Sequence, residues 1–245
     1  MPFLEINIAK EETSRDQPAV PADLFHTILT VIDASTAPNH RAVYPLNTHA
    51  ELGAAKAFAA KALEGLDYSR SDFDSFQSVF DDDGKADNNK DQDKTLPEGV
   101  LVRDQRADMH EFLVSIYTTS NTESLAVKSE DPAQLQLPNG TNLLHYVLQT
   151  KIDYNADRSD GVYRTDIEGV YVHRQDAARA AATCLISDPI RPEDFAEYDE
   201  KGSDVLKGEW PYGEDVLVHA VSNMGETFEV AVLTPLRSQI KRAKK

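Results

Sequence analysis

The chain has one cysteine, Cys184, and one tryptophan, Trp210. A lone thiol forms no internal disulfide and cannot build a Cys-rich metal site. Cys184 stands among alanines, where a small buried side chain is its ordinary role. Cations are scarce too: 25 Lys and Arg face 42 Asp and Glu, leaving a net charge of −17. Phosphate-backbone binding needs Lys and Arg, and so does docking on anionic lipid. The composition therefore argues against nucleic-acid and membrane partners, and for an acidic surface that resists self-association. No apolar run reaches the length of a membrane span. The opening MPFLEINIAKEE lacks the charged segment and long apolar run of a secretory signal. The expectation is an intracellular protein, cytoplasmic by default, or nuclear if the basic end IKRAKK at 240–245 serves as an import patch.

Chemical signatures are equally thin. None of His26, His40, His49, His110, His145, His173 and His219 forms an HExxH or HxH pair, so the histidines read as strand-end or surface residues rather than ligands. No Gly-x-Ser-x-Gly occurs. GEWPYG at 208–213 has the glycine spacing of a phosphate loop, but Glu214 and Asp215 follow where Lys and Ser or Thr would meet phosphate. The aspartate-rich 80–94 segment suggests calcium. With Gly84 as the turn glycine, however, the loop would run from Val79 to Lys90, and neither end offers a carboxylate. The expectation is no catalytic set, no cofactor and no metal.

What is present is a unit written twice. Strand-like runs ending in Ile-Asp, at 27–33 and 147–153, are offset by 120. Asp72-Phe73 with Phe76 answers Asp194-Phe195 with Tyr198, offset by 122. The strands at 100–102 and 112–116 answer 216–218 and 228–232, offset by 116. Between them lies an alanine-rich helix, at 43–63 and again at 169–186. Aligning its Val-Tyr pairs takes an offset of 127 and its Ala-Leu ends 123, which an inserted turn in the first copy would reconcile. A period near 120 means two domain-sized halves rather than a solenoid. The expected fold is α+β, an internal duplication of a unit with one principal helix packed on a small antiparallel sheet. Its divisions are a loose lead-in at 1–24, a first unit at 25–118 with the acidic insertion at 80–94, a linker at 119–142, a second unit at 143–235 and a basic tail at 236–245.

The first helix is expected to start at a capping box, Thr48 with Glu51. Leu52, Ala55, Phe58, Ala59, Ala62 and Leu63 fall on one face, and Gly65 supplies the stop. The second covers about 174–186 and ends before Pro189. The two Asp-Phe elements most simply plug the open end of each unit with aromatic rings. Gly169-Val170-Tyr171, the alanine-rich run at 177–182 and Asp194-Phe195, with Val43-Tyr44 and Asp72-Phe73 in the first copy, carry a family likeness. On these residues the chain resembles small tandem α/β modules of uncharacterised proteins from filamentous fungi, and more distantly short bacterial domains of unknown function. The resemblance implies no activity and no site residues. The first copy departs from it in lacking the glycine before Val43.

Two function classes follow. One is a non-catalytic protein-interaction or scaffold protein. The other is an enzyme or small-molecule binder with its site in the cleft between the units, where pockets commonly form. For a protein partner the candidate residues are Trp210 and Tyr212. They form an aromatic pair present in the second copy only, where the first has Lys94-Thr95-Leu96, and both are of types that dominate binding hot spots.

Overall fold

The computed structural model describes residues 18–36, 40–80, 96–97, 99–158, 161–202 and 210–235. Most of the lead-in, nearly all of the acidic insertion and the basic tail lie outside the described residues. The first unit runs β1 (Asp23–Asp33), β2 (His40–His49), α1 (Leu52–Ala60), a single turn α2 (Ala62–Gly65), a 3-10 turn (Arg70–Asp72), β3 (Ser75–Ser78), β4 (Val100–Gln105) and β5 (His110–Ser120). A hairpin follows, β6 (Ala126–Lys128) and β7 (Asp131–Gln136). The succession then returns: β8 (His145–Asp153), β9 (Val162–Tyr171), α3 (Arg174–Thr183), a 3-10 turn (Pro192–Asp194), β10 (Phe195–Glu200), β11 (Val216–Ser222) and β12 (Glu226–Leu233). Each unit forms one five-stranded antiparallel sheet. The first is ordered β2-β1-β5-β4-β3 and the second, read the same way, β9-β8-β12-β11-β10.

The two copies agree down to their registers. Thr27 opposite Asn47 becomes Val147 opposite Gly169. Val102 opposite Val114 becomes Val218 opposite Val230, and Phe76 opposite Asp104 becomes Tyr198 opposite Ala220. Register shifts recur at Thr27/Ile28 and Val147/Leu148, and again at Val100/Val102 and Val216/Val218. An extra residue in a strand flips every later side chain to the other face. Matched bulges therefore keep equivalent residues on equivalent faces. In the last position of each 3-10 turn an aspartate accepts the backbone N–H three residues back, Asp72 from Ser69 and Asp194 from Arg191. The following phenylalanine meets a strand phenylalanine edge-on, Phe73 with Phe112 at 5.5 Å and Phe195 with Phe228 at 6.4 Å.

The helix alignment needs correction. Both helices begin one offset of 122 apart, at Leu52 and Arg174, with Ala55 and Ala59 matching the equally buried Ala177 and Ala181. No inserted turn is required. Val43-Tyr44 matches Thr165-Asp166 in mid-strand, and Val170-Tyr171 matches Thr48-His49 at the strand end. A Val-Tyr pair suits any strand position, which is why it misled. The six-residue difference between offsets falls between β3 and β4. Nor does Thr48 cap α1. It lies inside β2 and buried, while Glu51 precedes the helix with no side-chain cap bond. Gly65 sits within α2, and the left-handed residue beyond it is Asp67, at φ 64°. The 119–142 segment, expected as a linker, holds the β6–β7 hairpin, and its Leu125, Val127 and Leu135 are core residues.

Three apolar clusters hold the chain together. Leu29, Val31, Ala59, Leu63, Val102 and Phe112 belong to the first unit's own core. Val147, Ala177, Ala181, Val218, Val230 and Val232 belong to the second unit's. The third is shared: Leu24 and Ala50 of the first unit join Leu125 and Leu135 of the hairpin with Leu144, Tyr146, Leu148 and Val170 of the second. Full burial of such side chains contributes roughly 1.5–3 kcal/mol each, so the shared cluster ties the units firmly.

Candidate functional site

Alternation along β1 and β8 gives each strand two different faces. In β1, Leu29 and Val31 turn to their own unit's core, while Leu24, His26 and Thr30 turn to the other unit. His26 and Tyr146 occupy equivalent places in the two copies, and their rings meet edge-on at 5.6 Å. Thr30 and Thr150, another equivalent pair, line one small cavity of about 200 Å³ between the sheets. So do Arg41 and Tyr163, whose guanidinium lies over the phenol ring at 4.6 Å. Equivalent residues meeting across a junction are what an approximate two-fold relation between the units produces.

At the end of this junction is a larger cavity of about 530 Å³. The first unit contributes Leu46, Asn47, Thr48, His49 and Phe58; the hairpin segment contributes Lys128, Gln134, Leu135 and Asn142; the second unit contributes Leu143 and Tyr146. The volume lies within the ~300–1,000 Å³ of small-molecule sites. The hairpin is what closes it: the Ala50 N–H donates to the Ala133 carbonyl at 3.3 Å, docking β7 beside the end of β2. Among the described lining residues Lys128 is the only charged one, in a protein of net charge −17.

The floor of this pocket is a buried hydrogen-bond chain. The Thr48 hydroxyl lies 2.8 Å from His26 Nδ1 and 2.6 Å from the Tyr146 hydroxyl, and His26 Nε2 lies 2.8 Å from the Thr119 hydroxyl. Burial lowers the His26 pKa to about 4, so its ring is neutral at pH 7, one nitrogen donating and the other accepting. Burial likewise pushes the Tyr146 phenol up to about 12. His49 is held beside it. Asn47 Oδ1 accepts the Thr48 N–H, so Asn47 Nδ2 faces His49 Nε2, at 3.3 Å, as donor. Burial lowers the His49 pKa, partly opposed by Asp131, and the neutral ring therefore carries its proton on Nδ1. The Thr48 hydroxyl beside His26 is also tied to the Tyr146 hydroxyl, and all three side chains are buried, so these groups position and hydrogen-bond one another.

The aromatic pair lies elsewhere, at the β10–β11 edge of the second sheet. Trp210 is half-buried and meets Tyr212 edge-on at 5.0 Å. Tyr212 stacks flat on His219 at 3.8 Å, and its hydroxyl donates to Asp199 at 2.6 Å and Glu197 at 3.0 Å. The structure thus brings Trp210 and Tyr212 together but binds Tyr212 into the sheet face. Sequence reasoning missed the pocket groups His26, Thr48, His49 and Tyr146. One signal was available: His26 and Tyr146, both polar-tipped, stand at one repeat position. Compared with protein-family models, curated proteins and solved structures, the chain matches none.

Proposed function

We propose that the protein is a non-catalytic binder of a small amphiphile, held in the 530 Å³ pocket between its two units. The ligand class is an apolar body carrying a carboxylate head. The carrying observation is the pocket's composition. Leu46, Phe58, Leu135 and Leu143 offer an apolar wall, and Lys128 is the lone charge among the described lining residues. The Lys128 ammonium already donates to Gln134 Oε1 at 2.7 Å and keeps two further donors. The reading takes each unit as a sheet covered on one face by its alanine-faced helix, leaving the other face for its partner unit and for ligand. It departs from the protein-scaffold alternative because Tyr212, half of the proposed interaction patch, is engaged within its own sheet.

Calorimetric titration with a medium-chain carboxylic acid and the matching alcohol tests this. One acid is expected to bind per chain. Lys128→Gln should weaken the acid by roughly tenfold, the worth of one charge-assisted hydrogen bond, and leave the alcohol unchanged. Leu143→Trp, at a residue 38% exposed on the pocket wall, should fill the cavity and weaken both. No binding of either probe, or binding indifferent to Leu143→Trp, refutes the reading.

A further inference from the structure

We propose a zinc-type divalent cation site at Glu197, Asp199 and His219, at the β10–β11 edge of the second sheet and on the face opposite Val218 and Ala220. Asp199 and His219 are direct cross-strand partners of β10 and β11, and Glu197, two residues back, shares their face. One ligand atom from each lies within 4.8 Å of the other two. His219 is only 9% exposed, and its Nδ1 is buried with no hydrogen-bond partner among the described residues, so a polar nitrogen of the cluster's imidazole is left unsatisfied. The single Tyr212 proton is shared by two carboxylates facing each other, an arrangement that a cation would relieve.

The donor set selects the ion. One imidazole and two carboxylates, with no thiolate, suit Zn²⁺ with a fourth position open to water; Ca²⁺ and Mg²⁺ prefer oxygen alone. Bond lengths near 2.0–2.2 Å place tetrahedral ligands about 3.3–3.6 Å apart, inside the 4.8 Å limit that the cluster already meets. Glu197, exposed and on a long side chain, is the residue best able to adjust. The duplication supplies an internal control. The equivalent positions of the first unit, Ser75, Gln77 and Arg103, share the register but lack the ligands, so folding of the repeat does not account for the triad.

The test is a Zn²⁺ titration of the full chain followed by NMR of its seven histidine rings, with His219 assigned through its contact with the Tyr212 ring. The expected result is that His219 responds first and saturates at one equivalent. Asp199→Asn and Glu197→Gln should each weaken that response beyond the roughly tenfold that loss of even an outer partner costs. Prior response of another histidine, simultaneous response of several, no response, or a His219 response unchanged in both variants would overturn the proposal. The wild-type titration decides the matter even if a variant fails to fold.

Discussion

Asp104 is the residue whose surroundings most oppose its chemistry. It is 0% exposed, and neither carboxylate oxygen has a hydrogen-bond partner among the described residues. Burial raises its pKa from 3.8 to about 7, with the Arg70 charge opposing. The folded state thus holds a proton that the unfolded chain releases near pH 4. Stability contributed by this group is present at low pH and falls as pH rises from about 4 to about 7. Three pKa units correspond to a loss of up to ~4 kcal/mol. The second unit has Ala220 at this place, in the same register opposite Phe228. Asp104→Ala should therefore stabilise the protein at pH 8 by up to that amount and have little effect at pH 4. Urea unfolding across this range checks it, and an unchanged pH slope would refute it.

At the level of elements, the start of α1 separates a sequence motif from its realisation. Thr48 and Glu51 have the spacing of a capping box, but the strand continues through Thr48 because its side chain is claimed by His26 and Tyr146. A chain of three hydrogen bonds, from Thr119 through His26 and Thr48 to Tyr146, outweighs an exposed cap worth about 1 kcal/mol. Thr48→Val should consequently cost about 2–3 kcal/mol, since it strands two buried partners, whereas Glu51→Ala should cost under ~0.5 kcal/mol. Equal costs for the two, in paired denaturant curves, would restore the cap.

The whole molecule depends on the junction between its copies. Leu24, Ala50, Leu144, Tyr146 and Val170 share one cluster with the hairpin, and the Thr48–Tyr146 bond crosses between units. Separating the units would expose that apolar cluster to water. Unfolding is therefore expected as one transition. Trp210 fluorescence, which reports the second unit, and NMR signals of the first-unit Phe112 should lose intensity at the same urea concentration. Two separated midpoints would show the units to be independent.

The duplication and the strands β1, β4, β5, β8, β11 and β12 were legible in the sequence because they rest on local periodicity and on repeated spacing, whereas β3 and β10, read as aromatic plugs, are edge strands too short to show a period. The pairs Phe112/Phe228 and Asp72/Asp194 recur in equivalent contacts. Helix register was not legible, since Val-Tyr suits any strand and the change of offset comes from a longer loop between β8 and β9, at 154–161 against 34–39, which no local pattern marks. The hairpin inside the supposed linker was hidden by its prolines and its shortness. Neither site could be read from spacing. The pocket joins residues 46–49 to 128–146, and the triad joins 197–199 to 219. Such groups converge only when antiparallel pairing brings distant strands side by side and the two sheets close on a shared core, and that proximity is a property of tertiary structure alone.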